Sequence, residues 1–268
     1  MTRLGIHDFL NAQPLLQPLR EQAKALNLSI HTAPPAQLAD QLKAGELDLA
    51  MIPSIEYLRN ADRYRLVPGP CIASKGRVDT VLLISKGPLD QIHSVAADQR
   101  SRTSIAALEL LFGERFAPGW SLQAMQPDLN AMMQDCDAAL IIGDPTFSLD
   151  IKAPLVAHDL SLEWQQRTRL PFVHAVFAVR NGVTLSYELL QALARAAQNS
   201  AATAERIAND YAVGDYKNPQ RFQDYLTNKI RYILGEEEIQ GMQTFRDLCA
   251  AANILPHAHD LTFTGLAG

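Results

Sequence analysis

The sequence predicts an α/β protein of two lobes with a ligand cleft between them, and three observations carry that expectation. Short apolar β-rich runs alternate with helical patterns, the order of a sheet covered by helices. Two extended runs, VDTVLLISK (78–86) and PFVHAVFAVR (171–180), are placed to carry the chain out to a second unit and back. Beyond Gly182 the patterning becomes helical throughout. Crossing at those two runs puts 1–84 and 177–268 in the first lobe and 85–176 in the second.

In order, RLGIHDF (3–9) reads as a strand, followed by a helix with an apolar face of Leu15, Leu19, Ala23 and Leu26 and a stop at Asn27. LSIHTAP (28–34) is a second strand, and AQLADQLKAG (36–45) a short helix ended by Gly45. LDLAMIP (47–53) is almost wholly apolar, as expected of a parallel strand buried on both faces. This βαβαβ order implies a doubly wound parallel sheet. Strands at VDTVLLISK and IHSVAAD (92–98), a helix over 103–112, strand WSLQAM (120–125), a helix opened by Pro127 and strand AALIIGD (138–144) follow. Leu189, Leu193, Ala197, Ala204, Ile207 and Tyr211 mark one long amphipathic helix. Asn218-Pro219 caps the next, and Ile239, Met242, Phe245 and Cys249 line the last.

With 268 residues, 47% of them hydrophobic, the chain can bury a substantial core. A net charge of −5 opposes a nucleic-acid or acidic-membrane partner, both of which need a basic face, but leaves small anions open. Cys71, Cys136 and Cys249 are too sparse for a disulfide framework or a zinc site and read as reduced thiols. MTRLGIHDFLNAQP lacks a secretory core, and no run reaches the roughly 20 apolar residues of a membrane helix, so a cytoplasmic protein without an obligate protein partner is expected. There is no GxGxxG, Walker or GxSxG motif, and HAH (257–259) lacks zinc-helix spacing. No metal and no organic cofactor are expected.

Polar clusters recur at strand ends and helix starts, where open α/β sheets bind ligands. Asn11 and Ser54 each suit a helix cap, and each could face the cleft. Ser74 and Gly76 stand in a turn with Lys75 and Arg77, where glycine permits close backbone approach and Ser74 could meet a carboxylate. Thr103 and Ser104 open a helix, whose free N–H groups attract anions, and with Arg100 and Arg102 nearby they exceed what a cap requires. Asp144 ends a buried strand as either a turn former or an acidic group for the cleft. His174, within an apolar strand, reads as a satisfied core or cleft-wall residue rather than a catalyst.

As a set, FLNAQPL, IPSIEYL, CIASKGRVDTVLLIS, DQRSRTSIAALELL, AALIIGDPTF and DLSLEWQQRTRLPFVHAVFAV follow one family's order and spacing. The chain resembles the chorismate dehydratases of the futalosine route to menaquinone, and the likeness extends into YLTNKIRYILGEEEIQGMQTF. The resemblance implies a fold like type II periplasmic binding proteins. It also implies cofactor-free dehydration of chorismate to 3-[(1-carboxyvinyl)oxy]benzoate. Asn11, Ser54, Ser74, Gly76, Thr103, Ser104 and Asp144 fall on matching motif positions as cleft candidates. Asp8-Phe9 stands where Ser-Tyr is common, Arg169 where glycine is usual, and His174 where an aromatic or apolar residue is frequent.

On that basis Asn11 is expected to orient the ether or the leaving hydroxyl. The Ser74 turn and Thr103-Ser104 would seat the two carboxylates. The base is either Asp144 or the substrate's own side-chain carboxylate. The competing readings are a non-catalytic anion-binding protein, and a sister enzyme acting on cyclic dehypoxanthinyl futalosine. The sister typically opens with a Ser-Pro-Cys-Pro-Asn-Asp-like motif, where this chain has HDFLNAQP.

Overall fold

In a computed structural model, residues 1–213 and 218–264 are described. Two sheets form two lobes. The first combines β1 (Thr2–Gly5), β2 (Leu28–His31), β3 (Leu49–Pro53), β4 (Tyr64–Ser74), β10 (Phe172–Arg180) and β11 (Arg231–Leu234), in the order β11-β4-β10-β3-β1-β2. The second combines β5 (Val81–Ser85), β6 (Ser94–Asp98), β7 (Ser121–Met125), β8 (Ala138–Ile142) and β9 (Val156–Asp159), in the order β7-β6-β8-β5-β9.

Both sheets are mixed rather than purely parallel. The βαβαβ unit behaves as expected: β1 pairs in parallel with both β2 and β3. β10, however, runs antiparallel between β3 and β4, as β5 does between β8 and β9. Returning strands enter from the other lobe, so no helical crossover turns them around. Each of β5 and β10 pairs wholly within one sheet, and the chain changes sheets at 75–80 and again at 169–171. The boundaries expected at 84/85 and 176/177 fall inside these two strands.

Alternation along the strands of the second lobe sorts its core. Leu83 and Leu140 face the large core shared with the first lobe, whereas Leu82, Ile84, Ala139 and Ile141 form a smaller cluster with Met132 and Cys136. The first lobe's strands are covered by α1 (Gln13–Glu21), α2 (Pro35–Ala44), α3 (Ser54–Arg59) and the C-terminal helices. Gly45 ends α2 at φ +81, where its N–H closes the last turn as a glycine C-cap should. α4 (Thr103–Phe112) and α6 (Leu160–Thr168) flank the second lobe, with α5 (Leu129–Asp135) capped by Asp128.

Three local expectations change. The long helix expected over 189–211 is two, α7 (Tyr187–Gln198) and α8 (Ser200–Tyr211), broken where Asn199 leaves helical geometry at φ −93, ψ 7. Apolar spacing stays nearly in phase across that residue, so periodicity alone joins the pair. α1 stops at Glu21, short of Ala23 and Leu26, and Asn27 takes φ 51 in the turn to β2. β4 runs through Pro68-Gly69-Pro70, where β10 answers with a register shift that absorbs the prolines' missing donors. At the tail, α9 (Pro219–Asp224) is capped by Asn218 as expected, and α10 (Glu236–Ala251) buries Met242, Phe245 and Cys249. All three cysteines are free and buried. Among the described residues no helix is long and apolar enough to cross a membrane.

Candidate functional site at the lobe interface

A cavity opens between the lobes, at the carboxyl ends of β1, β3, β6 and β8. The first lobe contributes His7, Phe9, Asn11 and, from β10, His174. The second contributes Thr80, Arg100 to Ser104 at the start of α4, and Gly143 after β8. Of the residues singled out in the sequence, Asn11, Thr103, Ser104 and His174 line it. Ser54, Ser74, Gly76 and Asp144 stand outside the wall.

Asn11 sits in the 3-10 turn Leu10–Ala12 and caps nothing. Its side chain hydrogen-bonds the Tyr225 hydroxyl, which also lies 3.0 Å from Thr80 Oγ1. Asn11 Oδ1 is buried with no partner among the described residues. Asp144 lies behind that turn. Its carboxylate accepts the Leu10 N–H at 3.1 and 3.0 Å and a hydrogen bond from Tyr211. Burial raises its pKa to about 6. Asp144 therefore holds the segment that carries Asn11, and its oxygens are engaged away from the cavity.

Ser54 and Thr103 each begin a helix without capping it. Ser54 Oγ donates to the Val173 carbonyl at 2.6 Å, and Thr103 Oγ1 donates to the His174 carbonyl at 3.1 Å while accepting the Ile55 N–H at 3.3 Å. These hydroxyls stitch α4 of the second lobe to α3 and β10 of the first. The Thr103 hydroxyl is thus spent on the lobe contact. What α4 offers the cavity is its first-turn amides, which have no intrahelical partner, and Ser104.

Ser74 is fully buried, with Oγ 2.6 Å from Ser161 Oγ and 2.7 Å from His174 Nε2. It orients the His174 ring rather than meeting a ligand. Burial lowers the pKa of His174 to about 4, so its imidazole is neutral near pH 7. Gly76 has φ +96 with open space around the missing Cβ. Glycine serves the turn conformation there, not a close approach.

The arginines arrive already paired. Arg100 forms a bidentate pair with buried Asp98, at 2.9 and 2.6 Å, and lies over the Phe9 ring at 5.2 Å. Arg102 reaches across the lobes to Asp40 at 2.7 Å and Glu56 at 3.1 Å. With these charges matched, a bound anion meets α4 amides and polarised hydrogen-bond donors rather than a free cation.

Sequence reading missed His7, Phe9 and Gly143. His7 is buried at the end of β1, neutral through a burial-lowered pKa of about 4, with Nδ1 unpartnered among the described residues. Its place at a strand's carboxyl end was the available signal. Gly143 takes φ +71, which favours glycine, and a Cβ there would crowd the Phe9 ring at 3.1 Å.

Two open sheets flanking a cavity define a two-lobed fold of the periplasmic-binding-protein kind. The architecture is shared with the protein AF1704 from Archaeoglobus fulgidus (TM-score 0.72, 16% identity, 94% of this chain and 98% of that one). The periplasmic aliphatic sulphonate binding protein SsuA from Escherichia coli shares it too (TM-score 0.65, 16% identity, 97% and 95%). The model of the menaquinone biosynthesis family matches residues 2–251, and the chain belongs to that family. Among curated relatives it is 32% identical over 260 residues to a chorismate dehydratase from Thermus thermophilus, spanning 91% of this chain and 93% of that protein. A chorismate dehydratase from Campylobacter jejuni is 26% identical, spanning 93% and 98%.

Proposed function

We propose that the protein is a hydro-lyase that dehydrates chorismate to 3-[(1-carboxyvinyl)oxy]benzoate in menaquinone biosynthesis. The observation that carries this reading is the interlobe cavity, lined by the start of α4 and by Asn11, whose amide oxygen has no partner among the described residues. Membership of the menaquinone biosynthesis family and the activity borne by the two curated relatives support it. As a biosynthetic enzyme of this kind it would work in the cytoplasm, on a small-molecule substrate alone.

Chorismate presents two carboxylates, an enolpyruvyl ether and a neighbouring ring hydroxyl. Dehydration removes the proton from the ether-bearing ring carbon and expels that hydroxyl, giving an aromatic ring. Aromatisation supplies much of the driving force, so the protein's tasks are to orient the groups and assist the departing oxygen. The first turn of α4, with Ser104, seats one carboxylate. Asn11 addresses the ether or the hydroxyl. Both oxygens of Asp144 hold the Leu10 turn, so the base favoured here is the substrate's own side-chain carboxylate, with Asp144 as a positioning residue.

Incubating the purified protein with chorismate, and following aromatic product by absorbance and mass, tests the proposal. Formation of 3-[(1-carboxyvinyl)oxy]benzoate is expected. Chorismate binding without product would instead favour a non-catalytic binding protein.

A further inference from the structure

His7 has no part in the reading above, yet it carries a buried polar atom in the same wall. His7 and Asn11, four residues apart, both line the cavity, and His7 Nδ1 and Asn11 Oδ1 are both buried without a hydrogen-bond partner among the described residues. Leaving a buried donor or acceptor unmade is costly, so two such atoms on residues of one cavity wall point to a ligand that satisfies both. Neither residue is loosely held. The Tyr225 hydroxyl, itself against Thr80, engages the Asn11 side chain. The His7 ring packs on Phe9 at 5.0 Å.

We propose that His7 and Asn11 together form the seat of the substrate's ring hydroxyl, His7 Nδ1–H donating to its oxygen and Asn11 Oδ1 accepting its hydrogen. The assignment rests on the chorismate reading. An amide oxygen can only accept, and ionised carboxylates and an ether offer no hydrogen. The ring hydroxyl is the one donor chorismate possesses, so it is the group that Asn11 Oδ1 selects. A hydroxyl also has lone pairs to fill, and a neutral imidazole provides the complementary N–H. Burial keeps His7 neutral near pH 7, which suits a hydrogen-bonding role. Because the two atoms are closed off from solvent, the ligand takes its place before the lobes shut. His7 is then a specificity residue: it grips the oxygen that departs and lets go of a product that lacks it.

The test compares substrate and product in variants of the full chain. His7→Phe keeps the ring packing against Phe9 and removes Nδ1; His7→Asn places an amide nitrogen near the position of Nδ1; His7→Gln places it too far along. For His7→Phe, kcat/KM for chorismate is expected to fall by about 10-fold or more, while Kd for 3-[(1-carboxyvinyl)oxy]benzoate, which has no ring hydroxyl, stays within about 2-fold. His7→Asn is expected to recover most of the loss. Unchanged kcat/KM in His7→Phe would overturn the assignment, as would equal weakening of substrate and product, which marks a merely structural role. If His7→Phe does not fold, His7→Asn against His7→Gln decides: activity kept by Asn and lost by Gln supports the seat, and equal activities overturn it. No chorismate turnover by the wild-type protein refutes the functional reading and the seat with it, a result distinct from a defect confined to the variants.

Discussion

Asp144 of the second lobe accepts the backbone N–H of Leu10 in the first through both carboxylate oxygens, at 3.1 and 3.0 Å. The bond crosses the cleft one residue before Asn11, so a single carboxylate both latches the lobes and fixes the turn that presents the amide.

This latch separates a structural carboxylate from a catalytic base. Asp144→Asn keeps an oxygen for the Leu10 N–H and is expected to retain turnover within about 10-fold, whereas Asp144→Ala frees the turn and loses more. Near-abolition by the Asn variant would restore Asp144 as the base.

The same residue leaves a signature in stability. Its pKa rises from 3.8 to about 6 on folding, so the folded state binds more protons between those values. Its stabilising contribution is full below pH 4 and is lost as pH rises through 6. His7 and His174, lowered from 6.5 to about 4, act oppositely: their contribution is full above 6.5 and is lost as pH falls toward 4. The difference in melting temperature between Asp144→Asn and wild type isolates the carboxylate. It should grow in the variant's favour from pH 4 to 6 and then level off; a difference constant with pH contradicts the raised pKa.

Asn11→Ala removes the only side chain in the Leu10–Ala12 turn with an amide to offer. Turnover of chorismate should fall by about 10-fold or more, with the melting temperature little changed. Steady-state kinetics beside a thermal melt separate the two effects.

Thr103→Val preserves shape but deletes the hydroxyl that joins Ile55 N–H to the His174 carbonyl across the lobes. Stability should drop by about 1–3 kcal/mol in urea titration, and KM should rise because closure is weakened. A KM equal to wild type would show that closure does not depend on this contact.

Arg169 ends α6 at φ +66, its N–H bonded to the Gln165 carbonyl at 2.8 Å. The resemblance had marked this position as one where glycine is usual, and the left-handed conformation explains why: a Cβ is strained there. Arg169→Gly is expected to stabilise the fold by up to about 1 kcal/mol, readable as a higher urea midpoint with an unchanged slope.

Much of the fold was legible because it rests on local signals: the all-apolar run of β3, Gly45 closing α2, Asn218 capping α9, and the cleft-forming order of strands and helices. The motif set likewise carried the family. Strand direction was not legible, since the pleat alternates identically in parallel and antiparallel pairs, and neither was the break at Asn199, where the apolar phase continues.

For the site, the sequence by itself determined which residue types stand at the strand ends and helix starts, and hence which side chains were candidates for the cleft. Which of them face that cleft was decided by tertiary structure alone. Ser54, Ser74, Thr103 and Asp144 have the chemistry of ligand contacts, but each spends its polar atoms on another element: β10, His174 and Ser161, the opposing lobe, the Leu10 turn. A hydroxyl or carboxylate binds whichever partner packing brings within about 3 Å, and that partner lies from 87 to 134 residues away for Ser74 and Asp144. His7 is the converse case. Nothing beside it in the sequence marks it, and only the assembled wall shows its nitrogen without a partner.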